Sequence, residues 1–272
     1  MTANDYESLL KQPIDRIREQ IRAGAYRGQT AGFAPGKLQA NLAILEGAYA
    51  DDFLEFCAKN AQPCPLVGLS GRGDPRMPML GDIDIRTDVP SYNVYRNGTL
   101  EGAVSDITDL WTDDMVAFAL GCSFTFERAL AEAGIAMKHI EANRTVPMWA
   151  TNIGLQPVGP FQGGMVVSMR PIPEAQVETA VRITEGFSHA HGAPVHVGDP
   201  AAIGIEDLNA PDWGEPARFD EGDVPVFWAC GVTPQNVLQA AHPPICITHT
   251  PGRMLVTDAP EGRMPEFERA IR

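Results

Sequence analysis

One clause is written twice in this chain. Residues 121–134 read GCSFTFERALAEAG, and residues 229–242 read ACGVTPQNVLQAAH. Aligned 108 positions apart, they pair Cys122 with Cys230, Thr125 with Thr233, Leu130 with Leu238 and Ala133 with Ala241. Each copy reads as the end of a strand, a short loop holding a thiol, and a helix. The echo continues in order: GDP at 73–75 and 198–200, His139 and His249, Arg144 and Arg253, MWATN at 148–152 and MLVTD at 254–258. A repeated strand–loop–helix unit confines the chain to folds that seat two copies. The expected organisation is an N-terminal helical segment at 1–62, a first α/β unit at 63–153, a strand–helix crossover at 154–192, a second α/β unit at 193–259 and a C-terminal tail at 260–272.

Local patterns fill in this α/β plan. Leu9, Leu10, Ile14, Ile17 and Ile21 recur at helical spacing up to Gly24, and NLAILEGAYADDFLEFCAKN at 41–60 reads as a second helical run. SYNVYRNGTLEGAV is a hairpin signal with Asn97-Gly98 in the turn. Further on, GGMVVSMRPIP precedes EAQVETAVRITEGF, APVHVGDP precedes AAIGIEDL, and PVFWACGVTP precedes QNVLQAA. This alternation predicts a mixed, largely parallel sheet. Asp199-Pro200 and Thr233-Pro234 read as helix caps followed by a proline suited to the first turn, with Thr125 the counterpart cap in the first copy.

Charge and cysteine usage exclude some functions. The chain carries 35 acidic against 21 basic residues, a net charge of −14, which disfavours a nucleic-acid partner. No apolar run is long enough to cross a bilayer and no secretory signal is legible, so the expectation is a cytoplasmic protein without a membrane partner. The five cysteines show no C-x-x-C spacing. No phosphate loop, dinucleotide fingerprint, zinc-protease motif or nucleophile elbow is present, which points to chemistry without metal or cofactor. Self-association is left open.

The candidate site gathers where strands are expected to end. Cys122 and Cys230 each stand just before a helix, beside free N–H groups that attract anions and favour a thiolate; as small fillers they serve the fold equally well. His249 lies in THTPGRM after a strand and is the better acid–base candidate, with Asp199 beside it in that role. Ser123, Thr125, Arg144, Arg170, His196 and Thr233 are the candidates for holding a ligand. Arg170 is placed to clamp a carboxylate at the strand ends. His189, His191 and His196 invite a metal reading that the interruption at Gly192-Ala193-Pro194 weakens.

Several segments together carry a resemblance: QANLAIL, DFLEFCAKNAQPCPL, DIRTDVPSYNVYRNG, GCSFTFE, TVPMWATN, VVSMRP, HGAPVHVGDPAAIGI, PVFWACGVTPQ and THTPG. Over about residues 20–258 the chain resembles a hydro-lyase family whose proteins are similar to the D-glutamate cyclases. Lys37 and Glu46 depart from its pattern, where an aromatic residue and a proline are expected. The resemblance implies a duplicated α/β fold and loss of water from a small anionic, amino-acid-like substrate, as in closure of D-glutamate to 5-oxo-D-proline or the reverse ring opening. Paired thiols also suit a cofactor-independent racemase or epimerase, and a non-catalytic amino-acid binding protein is the third alternative.

Overall fold

The computed structural model describes residues 3–142, 144–267 and 269; positions 268 and 270–272 of the expected tail lie outside them. The first helical stretch is broken at Pro13, which lacks the N–H that would continue it, into α1 (Ala3–Leu9) and α2 (Ile14–Arg22). The run expected as a helix at 41–60 is in fact strand β1 (Lys37–Glu46) followed by helix α3 (Gly47–Lys59). The reason is burial. All of β1 between its two ends is covered on both faces, and such a strand lacks the period-two alternation that distinguishes it from a buried helix.

The chain continues through β2 (Leu66–Leu69), the hairpin of β3 (Tyr92–Arg96) and β4 (Thr99–Val104), β5 (Met115–Gly121), α4 (Phe124–Glu132), α5 (Lys138–Glu141) and β6 (Met148–Gly154). It then forms β7 (Gly164–Pro173), α6 (Val177–Glu185), β8 (His196–Val197), β9 (Asp223–Ala229), α7 (Val232–Ala240), β10 (Cys246–His249) and β11 (Leu255–Pro260). The expected turn is present, with Asn97 and Gly98 both at positive φ, 48° and 77°.

Two sheets carry the fold. The seven-stranded one runs β2-β5-β1-β10-β3-β4 with β11 also paired to β1, and the four-stranded one runs β6-β7-β9-β8. The α/β class holds, but the expectation of largely parallel pairing does not. Every ladder between these strands is antiparallel. The helices after β5 and β9 lead to β6 and β10, which lie in the opposite sheet, so neither helix returns the chain to a parallel neighbour.

The doubled clause has a structural counterpart. The bounds of β5 and α4 reappear, each 108 positions later, as those of β9 and α7. The ladders agree as well. Ala40 faces Gly121 across β1–β5, and Val167 faces Ala229 across β7–β9. Gly68 faces Ala119 on the outer side, and His196 faces Phe227. On the inner side Ala40 faces Leu255, and Val167 faces Trp149. The stretch expected as a strand–helix crossover holds β7 and α6. Strand β6 pairs with β7, and β11 pairs with β1.

One face of β1 matters for the site. Leu38, Ala40, Leu42 and Ile44 enter one apolar cluster, while Ala43 and Leu45 enter another on the opposite face. Gln39 and Asn41 share that opposite face by strand alternation, and there they border a cavity.

Candidate active site

The cavity has a volume of about 1200 Å³. Its inner wall is formed by Gln39 and Asn41 of β1, by Cys122, Ser123, Thr125 and Glu127 at the start of α4, by Cys230, Gly231 and Gln235 at the start of α7, and by His249 at the end of β10. Both thiol loops therefore open onto one space. Gly231 permits this closeness, because a Cβ there would lie 2.3 Å from the Asn41 amide nitrogen.

The thiols are not resting thiolates. Burial pushes Cys122 up to about 12, with Cys230 and Glu127 adding to the rise, while the Phe124 N–H and Arg170 oppose it. Cys230 is likewise raised by burial, against the Val232 N–H, Arg170, Ser168 and the Gly231 N–H. Desolvation thus outweighs the helix start on which the expectation of a thiolate rested. Both sulfurs present S–H at neutral pH. The caps differ too. Helix α4 begins after Ser123 and α7 after Gly231, which puts Thr125 and Thr233 inside the first turns.

Arg170 lies beneath the cavity wall rather than in it. It is 1% exposed, and its guanidinium donates to the Glu127 carboxylate, to Ser123 Oγ at 3.0 Å and to Ser168 Oγ at 3.1 Å. The rings of Phe126 and Trp228 flank it at 5.2 and 5.4 Å. A guanidinium so committed does not clamp a ligand directly, which corrects the role read from sequence. Burial would raise Glu127, but Arg170 and His139 more than offset it, and its carboxyl sits below the usual range. His139 Nε2 lies 3.1 Å from Glu127 Oε1.

His249 is 2% exposed, and burial lowers it to about 4. Its Nδ1 accepts the Leu42 N–H at 3.1 Å, so the neutral ring carries its proton on Nε2. The neutral side chain borders the cavity, and with Nδ1 taken by Leu42 and its basicity lowered by burial it is a poor general base, which corrects the role read from sequence. The Gln235 amide nitrogen lies 3.3 and 3.4 Å from its two ring nitrogens. A folded-state value below the unfolded one of about 6.5 means that the unfolded chain takes up the proton first. Stability from this residue is complete above pH 6.5 and is lost as pH falls toward 4. Urea unfolding at pH 7 and pH 4 should show a wild-type loss that exceeds that of His249→Gln by roughly 2–3 kcal/mol; identical losses would contradict the assignment.

The remaining candidates divide. Ser123 and Thr125 border the cavity, and the Thr125 hydroxyl is buried without a partner. Arg144 borders its outer part, 3.5 Å from Glu215. Thr233 is spent on β7, exchanging hydrogen bonds with the backbone N–H and C=O of Val166 at 3.0 and 3.1 Å. Asp199 caps the short turn Pro200–Ile203, and His196 Nε2 lies 2.7 Å from the Asp199 carbonyl oxygen. Both stand by β8, the outer edge of the four-stranded sheet, and not at the cavity. His189 and His191 each meet a separate backbone oxygen, of Glu261 and Gln62. The residues sequence reasoning missed are Gln39, Asn41, Glu127, His139 and Gln235. A signal existed for four of them: two polar residues two apart in an apolar run, and Glu127 matched by Gln235 in the doubled clause.

Comparison with known proteins places this geometry among relatives. The family model described as D-glutamate cyclase matches residues 116–258. A protein of Dinoroseobacter shibae named "Putative hydro-lyase" is 60% identical over 257 residues, covering 94% of this chain and 86% of that one. One of the same name from Jannaschia sp. is 61% identical over 246 residues, covering 90% and 92%. A solved nitrogen repressor-like protein from Methanococcus jannaschii aligns over 84% of this chain and 90% of its own at 11% identity, with a TM-score of 0.38, too low to carry an argument. With more than half its length matched by the family model and relatives above 50% identity over nearly all of it, the chain belongs to the D-glutamate cyclase family.

Proposed function

We propose that the protein is a lyase that removes water from an amino dicarboxylate, closing D-glutamate to 5-oxo-D-proline. One observation carries the reading: two helix starts, each with a protonated thiol and backbone N–H groups, face the same cavity. Such starts attract anions, and two of them suit the two carboxylates of one substrate. The matching registers of the halves support reading the two loops as copies of one ancestral loop.

In the reaction a bond forms between the amine nitrogen and the γ-carbon, and one C–O bond breaks. The nitrogen sheds two protons in passing from ammonium to ring N–H, and the departing oxygen leaves with two, as water. Amide N–H groups at a helix start hold the oxyanion of the tetrahedral intermediate, and a neighbouring S–H donates to the departing oxygen and regains a proton from the nitrogen, whose second proton reaches the same oxygen. The Nε2–H of His249 is a second donor to the same charge.

The paired thiols also favour a second reading, epimerisation at the α-carbon, with one sulfur removing a proton and the other returning one. Incubation with D- and L-glutamate and with both 5-oxoprolines in heavy water separates the two. Ring formation or opening of the D-compounds without deuterium at the α-carbon is the expected result. Deuterium at the α-carbon without ring change would establish the epimerase instead, and binding with neither would leave an amino-acid binding protein.

A further inference from the structure

Gln39 borders the cavity and is only 6% exposed. Its Nε2 donates to the carbonyl oxygens of Thr30 at 2.8 Å and Phe33 at 3.1 Å. Those bonds use both amide hydrogens and decide which end of the amide is which, because the turned-over amide would set Oε1 against two carbonyl oxygens. Oε1 is thereby left buried with no partner. Buried acceptors are nearly always paired, so an orphan beside a cavity marks where a ligand brings a hydrogen. We infer that Gln39 holds the nitrogen of the substrate, accepting its N–H through Oε1. The inference rests on the amino-dicarboxylate reading above.

The rest of the inner wall offers mostly donors. The Phe124 and Val232 N–H groups by the sulfurs and the Nε2–H of His249 suit carboxylate oxygens. The Asn41 amide nitrogen is occupied by the Gly121 carbonyl at 2.9 Å, and the Glu127 carboxylate by Arg170. Two carboxylates thus find donors, and among the acceptors of the wall the amide oxygen of Gln39 is one left buried without a partner.

The neutrality of this acceptor has a chemical consequence. Lactam closure needs a nitrogen with a free lone pair. A carboxylate at position 39 would stabilise the ammonium and keep the nitrogen unreactive. An amide oxygen accepts an N–H from the ammonium, the amine and the lactam alike, while burial favours the uncharged amine. Gln39 is therefore placed to orient the nitrogen without holding its proton.

The test uses 5-oxo-D-proline and its cyclopentanone analogue, in which CH₂ replaces the ring N–H, titrated by calorimetry into the full-length protein. The wild type should bind the lactam roughly 10- to 100-fold more tightly, since the analogue leaves Oε1 unpaired. Gln39→Met keeps the bulk and removes the acceptor, and the preference should fall to about twofold or less. Equal binding of lactam and analogue by the wild type, or a full preference in Gln39→Met, would overturn the role of Gln39 while leaving the cyclase reading intact. If Gln39→Met does not fold, the wild-type comparison decides, and equal binding of lactam and analogue overturns the inference. A wild type that binds neither 5-oxo-D-proline nor D-glutamate overturns both.

Discussion

Replacing Arg170 by methionine should cost about 3–5 kcal/mol of unfolding free energy. The guanidinium is enclosed by Glu127, Ser123, Ser168 and two aromatic rings. Removing it leaves the Glu127 carboxylate, 4% exposed, stranded from its main partner with His139 beside it. The cost comes from that stranded charge more than from the lost attraction, because a buried pair as a whole is close to neutral against apolar replacements of the same volume. The double variant Arg170→Met with Glu127→Leu should accordingly be more stable than the single one. Urea unfolding of wild type, both single variants and the double gives the cycle. A loss under about 1 kcal/mol in Arg170→Met would show that water reaches the pair. The pH dependence follows from the depressed carboxyl of Glu127: its stabilisation is complete above the unfolded carboxylate range and is lost as pH falls through the folded value.

The thiol variants should show the largest effect on turnover. If a protonated sulfur serves as donor, Cys122→Ala or Cys230→Ala should lower kcat by about 10²- to 10⁴-fold at whichever position faces the departing oxygen. Serine at that position keeps an O–H donor of similar size and should retain activity within about tenfold. Epimerisation makes the opposite demand. One sulfur must accept a proton from carbon, and a hydroxyl is a far poorer base, so serine and alanine would be equally damaging at both positions. Steady-state rates of the four variants with D-glutamate therefore separate the chemistries independently of the isotope experiment. Alanine variants with undiminished rates would reduce both cysteines to packing.

Part of the candidate site is legible in the sequence, and the parts that are not have a common cause. Local signals succeeded where chemistry is local: the Asn97-Gly98 turn, the Asp199 cap and the two thiol loops each depend on a few adjacent residues. They failed where the deciding quantity is burial. The run at 41–46 looked helical because nothing in it marks which atoms are covered, and the thiols looked acidic because a helix start is visible in sequence while desolvation is not. Arg170 was placed at the right strand but given to a ligand, since its true partner Glu127 lies 43 residues away. His196 lies on a strand as expected and Asp199 just beyond it, yet that strand is one edge of its sheet, while β6 at the other edge supplies Met148 to the cavity. Sheet direction was misread for a related reason: strand–helix alternation says nothing about which sheet the next strand joins.

The pairing of β11 with β1 bears on how the site comes into being. Gln39 on β1 lies opposite Val256 on β11, so the strand that carries two polar wall residues gains its inner neighbour only after more than 200 further residues have been made. Contacts of such sequence separation form slowly, because a long loop must close before they contribute. A nascent chain released up to β10 would already hold both thiol loops, yet part of the edge of β1 beside Gln39 would still be open to water and to other strands. A chain cleaved between β6 and β7 would separate β6 from its partner β7 and β11 from its partner β1, so the two fragments should regain a closed cavity only by associating.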